Sequence, residues 1–231
     1  MKKVIKKFDD FVNESSNLNI NMNLIERDLQ NFIKKHPDYK TSWGQIQNDK
    51  SDKDTKPYNI YSYAQFVKKW KYCTDINKIK YALTRWFLHW CAKCDENILC
   101  GKYAIPNPDI YDKTWDIQFK GINNCPNIKF DVKSTRIPKE LDEEYYVEHP
   151  IELIKWMYNK QSQESRKGFQ NRLFIIHIPS IERSEAMVRT DFDKKREIIE
   201  KYYQSIENGD HLPYEIEIGP NRVISDVIFV D

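Results

Sequence analysis

Residues Thr114 to Ser134 read TWDIQFKGINNCPNIKFDVKS, and the two ends of this stretch alternate in polarity. Trp115, Ile117 and Phe119 interleave with Asp116, Gln118 and Lys120; Ile128, Phe130 and Val132 interleave with Lys129, Asp131 and Lys133. A period of two is that of a β-strand with one apolar and one polar face, and the Gly121 to Asn127 turn makes the pair a hairpin. The strand rise sets Asp131 and Lys133 about 6 to 7 Å apart on one face, with Phe130 and Val132 on the core face. Asp116 lies on the polar face of the partner strand. Two carboxylates that converge repel each other unless a cation sits between them, and an oxygen-only donor set suits a hard ion such as Mg²⁺.

The flanking sequence has a definite order. Before the hairpin, Ile76, Ile79, Leu83, Trp86, Phe87, Trp90 and Cys94 recur at spacings of three and four, which predicts a helix from about Asp75 to Glu96. A short strand fits Lys102 to Ile105. After an acidic stretch, ELDEEYYVEHPIE, a helix is expected over Pro150 to Tyr158, with Pro150 in its first turn. Arg172 to Ile178, RLFIIHI, is a continuous apolar run closed by Pro179, as for a strand buried on both faces. One late helix over Asp191 to Glu207 and two strands around the Gly219-Pro220 turn complete an α/β reading, a mixed sheet flanked by helices. Upstream, Leu24, Ile25, Leu29, Phe32 and Ile33 suggest one amphipathic helix, and NDKSDKDTKP, Asn48 to Pro57, reads as an exposed loop. Residues 1–56 are therefore expected to form a helical arm and polar linker, and 57–231 the main domain.

Composition narrows the classes of function. The 231 residues carry 37 Lys and Arg against 35 Asp and Glu, a net charge of +2, so attraction to a polyanion has to come from local patches. With 14 Tyr, 11 Phe and 6 Trp the chain can bury enough surface to fold. No run approaches the ~18 to 20 apolar residues of a membrane span. Asp9 and Asp10 interrupt the basic N-terminus before the apolar core of a signal peptide can form, and five scattered cysteines fit free thiols in a reducing cytoplasm.

With Asp116 in TWDIQFKG, Asp131-Val132-Lys133 in KFDVKST, and a helix before and a helix and buried strand after, the sequence resembles the PD-(D/E)xK nuclease superfamily, the restriction-endonuclease-like fold. The resemblance covers under half of the chain and rests on motif and topology. It implies an α-β-β-β-α-β core over about Asp75 to Ile178 and a Mg²⁺-dependent phosphodiesterase, with Mn²⁺ as a substitute ion. Asp116 and Asp131 would then hold the metal and Lys133 would orient the attacking water or steady developing charge. Members often add a carboxylate from the first helix; Glu96 is the candidate, with Asp95 beside it. They also often place a functional Gln on the second core helix, where Gln161 is the nearest match. The motif's literal Pro-Asp pair falls at Pro108-Asp109, with Asp112 close by, but Asp116 has the strand alternation around it.

The partner so implied is DNA, cut by an endonuclease of restriction or defence type, with a homodimer contact available to the N-terminal arm. Two basic segments, Lys120 to Lys139 and Lys155 to Arg172, flank the proposed site, and Lys120, Arg136, Arg166 and Lys167 are their candidate phosphate contacts. A catalytically inactive nucleic-acid-binding or assembly protein of the same fold is the alternative. His89, Cys91, Cys94 and Cys100 are the one rival cluster, as a zinc site, but Cys94 continues the apolar stripe of its helix and buried thiols suit the pattern better. His177, inside RLFIIHI, reads as a hydrogen-bonded core histidine.

Overall fold

The computed structural model describes residues 20–41, 47–109, 112, 114–123, 125–161 and 170–231. Helix α1, Met22–Lys35, begins where the Asn21 side chain accepts the Leu24 N–H, and it buries Ile25, Leu29, Phe32 and Ile33. The expected loop at Asn48 to Pro57 instead contains a short helix, α2, Asp49–Asp54. Asn48 and Ser51 form a reciprocal capping box, and the Thr55 hydroxyl bonds back to the Ser51 carbonyl at 2.6 Å. Polar caps and buried hydroxyls hold this turn, so it leaves no apolar period in the sequence.

Helix α3, Tyr63–Trp70, precedes the long α4, Ile76–Leu99. Asp75 opens α4 by accepting the N–H groups of Asn77 and Lys78. Strands β1, Ala104–Pro106, β2, Ile117–Phe119, and β3, Lys129–Thr135, follow as an antiparallel meander, with Ile117 opposite Phe130. Helices α5, Glu143–Glu148, and α6, Pro150–Gln161, then cross to β4, Arg172–His177, which runs parallel to β3. The acidic stretch thus supplies a helix of its own, N-capped by Asp142. A short helix the pattern did not show, α7, Glu185–Thr190, precedes the expected late helix, α8, Phe192–Asn208; Asp191 ends the first and caps the second. Strands β5, Tyr214–Ile218, and β6, Asn221–Val230, close the chain.

The six strands form one open mixed sheet in the order β1-β2-β3-β4-β6-β5. Phe130, Val132, Leu173 and Ile175 pack on one side with Ile199, Tyr203 and Ile206 of α8 and Leu99 of α4. Phe174 and Ile176 pack on the other side with Leu153, Ile154 and Met157 of α6. β4 is buried throughout its length, as its apolar run requires. Helix α1 packs against α4 and α7, and its apolar stripe shares a cluster with Trp86, Phe87 and Trp90.

Candidate functional site

The alternation on β3 is realised: Phe130 and Val132 enter the α8 side of the sheet, leaving Asp131 and Lys133 on the opposite face. Just before the Ile117–Phe130 pair, the Asp116 N–H bonds to the Phe130 carbonyl at 2.8 Å, which holds Asp116 against β3 next to Asp131. The Asp116 Oδ2 accepts the Val132 N–H at 2.8 Å, so the backbone of β3 itself orients this carboxylate. Burial raises the pKa of Asp116 and the nearby Asp131 adds to that, while the Val132 N–H and the Lys93 and Lys133 cations oppose it. Asp116 therefore senses the charge of Asp131.

Asp131 is 5 % exposed and meets two cations: Lys133 Nζ hydrogen-bonds its Oδ1, and Arg172 Nε lies 3.4 Å from its Oδ2. That Oδ2 is buried and accepts no hydrogen bond. The Arg172 guanidinium also stacks over the Tyr158 ring, 4.8 Å from its centroid, and the Tyr158 hydroxyl donates to the Gln170 carbonyl at 2.7 Å. Arg172 reaches Asp131 because the parallel β3–β4 register pairs the two residues.

Glu96 sits three residues from the end of α4, beside Asp116, and Lys93 one turn earlier donates to its Oε2 at 2.5 Å. Burial pushes the Glu96 carboxyl up to about 7, Asp116 adds to the rise, and Lys93 opposes it. Glu96, Lys93 and Asp116 line a cavity of about 240 Å³ whose other walls include Trp90, Pro106 and Ile117. A larger cavity, about 510 Å³, is lined by Leu24, Ile25 and Tyr61 and not by these acids, and it shares Ile20 with the smaller one.

Asp95, the neighbour of Glu96, is fully buried and serves another purpose. Its Oδ1 accepts Lys195 Nζ at 2.5 Å and its Oδ2 accepts the Ser134 hydroxyl at 2.7 Å, which fastens α4 to β3 and α8. His177 lies against the same group with Nε2 3.5 Å from Asp95 Oδ2, while its Nδ1 donates to the Thr135 carbonyl at 3.0 Å. Burial and the Lys195 and Arg189 cations hold its pKa well below the ordinary imidazole value, so it is a neutral core histidine.

The remaining candidates divide. Lys120 is exposed next to β2. Arg136 lies beyond the far end of β3, 3.4 Å from Glu185. Arg166 and Lys167 lie outside the described residues, as does the side chain of Gln161. Asp112 accepts the Thr114 N–H and hydroxyl within its own loop, and Asp109 is exposed. Cys91 and Cys94 are buried and Cys100 half-buried; burial pushes the thiol of Cys91 up to about 12 and that of Cys100 to about 11, which disfavours the thiolate a zinc ion needs. Among the described residues, no three of His, Cys, Asp and Glu are grouped so as to hold a metal ion.

Two members of the site escaped the sequence reading. Lys93 could have been found from its i, i+3 spacing to Glu96. Arg172 carries no local signal, because only the pairing of β3 with β4 brings it to Asp131. No family model, curated protein or solved structure matches this chain. No helix among the described residues is long and apolar enough to cross a membrane.

Proposed function

We propose that the protein is a Mg²⁺-dependent nuclease of the PD-(D/E)xK type acting on DNA. The observation that carries this reading is Asp116, held by the Val132 N–H at the entry to the second strand and near enough to feel the Asp131 charge, with Lys133 bonded to Asp131 on the third strand of an α-β-β-β-α-β run. The donor chemistry of Asp116 and Asp131 suits a hard cation, since both are carboxylates and one Asp131 oxygen is buried and accepts no hydrogen bond; Glu96 lies beside Asp116, and among the described residues the three acids are not grouped as one ligand set. A bound Mg²⁺ supplies a Lewis acid for the phosphate and an acidified water. Lys133 offers a proton donor beside Asp131, and the Val132 N–H keeps Asp116 aimed at the same place. Mn²⁺ is the natural substitute. The five free cysteines suit a cytoplasmic protein, and a homodimer is the arrangement that would let one complex cut both strands.

The test is cleavage of plasmid, linear, single-stranded and RNA substrates with Mg²⁺, Mn²⁺ or EDTA. Cutting by the wild type is expected only with metal, and Asp131→Ala and Lys133→Ala are each expected to lower it by at least ~100-fold. Undiminished cutting by Asp131→Ala overturns the assignment. One observation favours a second reading, a catalytically inactive binding protein: Glu96 and Asp131 are both held by cations of the chain itself. Nucleic-acid binding that persists in EDTA, with no cleavage of any substrate, selects it.

A further inference from the structure

Several cations near the candidate site are already engaged. Lys133 and Arg172 are paired with Asp131, Arg136 with Glu185, and Lys129 lies over the Trp115 ring at 4.5 Å. The uncompensated charge lies elsewhere. From Lys68 to Lys80 the sequence KKWKYCTDINKIK holds five lysines against one acid. That acid, Asp75, is occupied in capping α4, and among the described residues only Lys78 of the five pairs with a carboxylate, Asp54 at 3.2 Å. Lys68, Lys69, Lys71 and Lys80 are exposed.

Helix α3 is oriented by its inner face. Phe66 is buried, and Phe66 and Tyr63 each lie 6.0 Å, ring to ring, from Trp86 of α4. By helical spacing this leaves Val67, Lys68 and Lys71 outward. Val67 is 48 % exposed and Tyr72, just past the helix, is 85 % exposed, with the Lys71 ammonium 5.3 Å from its ring centroid. An aromatic ring left in solvent among exposed ammonium groups that pair with no carboxylate, Lys69 meeting only the Lys56 carbonyl at 3.4 Å, suits a polyanion whose rings are free to stack, because cations hold the phosphates while the ring takes a base. A duplex keeps its bases stacked inside and offers Tyr72 no partner.

We propose that Lys68, Lys69, Lys71 and Tyr72 form a binding surface for a single-stranded stretch of nucleic acid, flanking the point of cleavage. Its place relative to cleavage rests on the nuclease reading; its affinity for a strand does not. The face of α4 on which α3 docks, through Trp86, continues through Trp90 to Lys93 and Asn97 beside the candidate site. Trp86 and Ile76 are ten and twenty residues before Glu96, so the surface spans roughly 15 to 30 Å from the acids along α4. The favoured substrate is thus one with a single-stranded segment beside the scissile bond.

The experiment is fluorescence anisotropy with a labelled 20-nucleotide oligothymidylate and a labelled 20-base-pair duplex, in EDTA, over a salt series, with circular dichroism to check folding. The wild type is expected to prefer the single strand. Tyr72→Ala should weaken that binding roughly tenfold. The Lys68→Gln/Lys71→Gln double variant should lower the slope of log K against log salt by about 1.4, from two lost phosphate contacts. Binding unchanged in both variants, equal affinity for duplex, or no binding by wild type each overturns the proposal. Strand binding lost in the variants while no substrate is ever cut retains this surface and removes the nuclease.

Discussion

His211 and Asp226 show what a single pair can do to the pH response of this fold. Asp226 is buried in β6, where its Oδ2 accepts both His211 Nε2 and the Tyr202 hydroxyl at 2.7 Å and its Oδ1 accepts the Val227 N–H at 2.9 Å. The hydrogen bond to Asp226 raises the pKa of His211, and partial burial opposes the rise without cancelling it. A histidine whose folded pKa lies above its unfolded value adds stability that is complete below about pH 6.5 and disappears as the pH climbs through the folded value. His211→Gln is therefore expected to lower the denaturation midpoint more at pH 5.5 than at pH 8.5, read from urea melts at the two pH values. An equal loss at both would show that the imidazole acts by packing alone. Neither partner was legible as one of a pair, since a turn and a strand separate them. Asp131 and Lys133 were legible, because a two-residue spacing on one strand fixes their shared face. Arg172 was not, because it is 41 positions from Asp131 and meets it only through the parallel register.

Among the elements, those with an apolar period were visible and those held by caps were not. Helix α4 and strands β2, β3 and β4 each present a repeating apolar face to a core cluster, and each appears where the pattern placed it to within a few residues. Helices α2, α5 and α7 are six residues each, too short for a stripe, and depend on Asn48, Asp142 and Ser184 as N-caps. The start of α4 combines both devices, since the Asp75 carboxylate serves two N–H groups at 3.0 and 3.1 Å. Asp75→Ala is expected to cost about 1 kcal/mol in chemical denaturation, with Asp75→Ser or Asp75→Asn recovering most of it. Loss of the cap should also loosen the first turn of α4, visible as faster hydrogen exchange at Asn77 and Lys78.

On the scale of the whole molecule, the N-terminal helix and the main body meet at Phe32. This ring is 2 % exposed and lies 4.7 to 6.0 Å, centroid to centroid, from His36, Tyr39, Tyr63, Trp86 and Phe87. Removing it opens a cavity in an aromatic cluster shared by α1, α3 and α4, so Phe32→Ala is expected to cost about 3–5 kcal/mol. Calorimetry should show one transition, moved down as a whole; an early minor transition with the main one unmoved would mean that residues 1–56 unfold by themselves. The sequence by itself determined the α/β class, most strand and helix positions, and the shared face of Asp131 and Lys133, because periodicity and spacing act within one element. Only the tertiary structure decided which cation meets which acid, that Arg172 closes on Asp131 and that Asp95 is locked to Lys195 instead of standing beside Glu96. Ion pairs depend on strand register and helix docking, and those are set by the packing of the whole core.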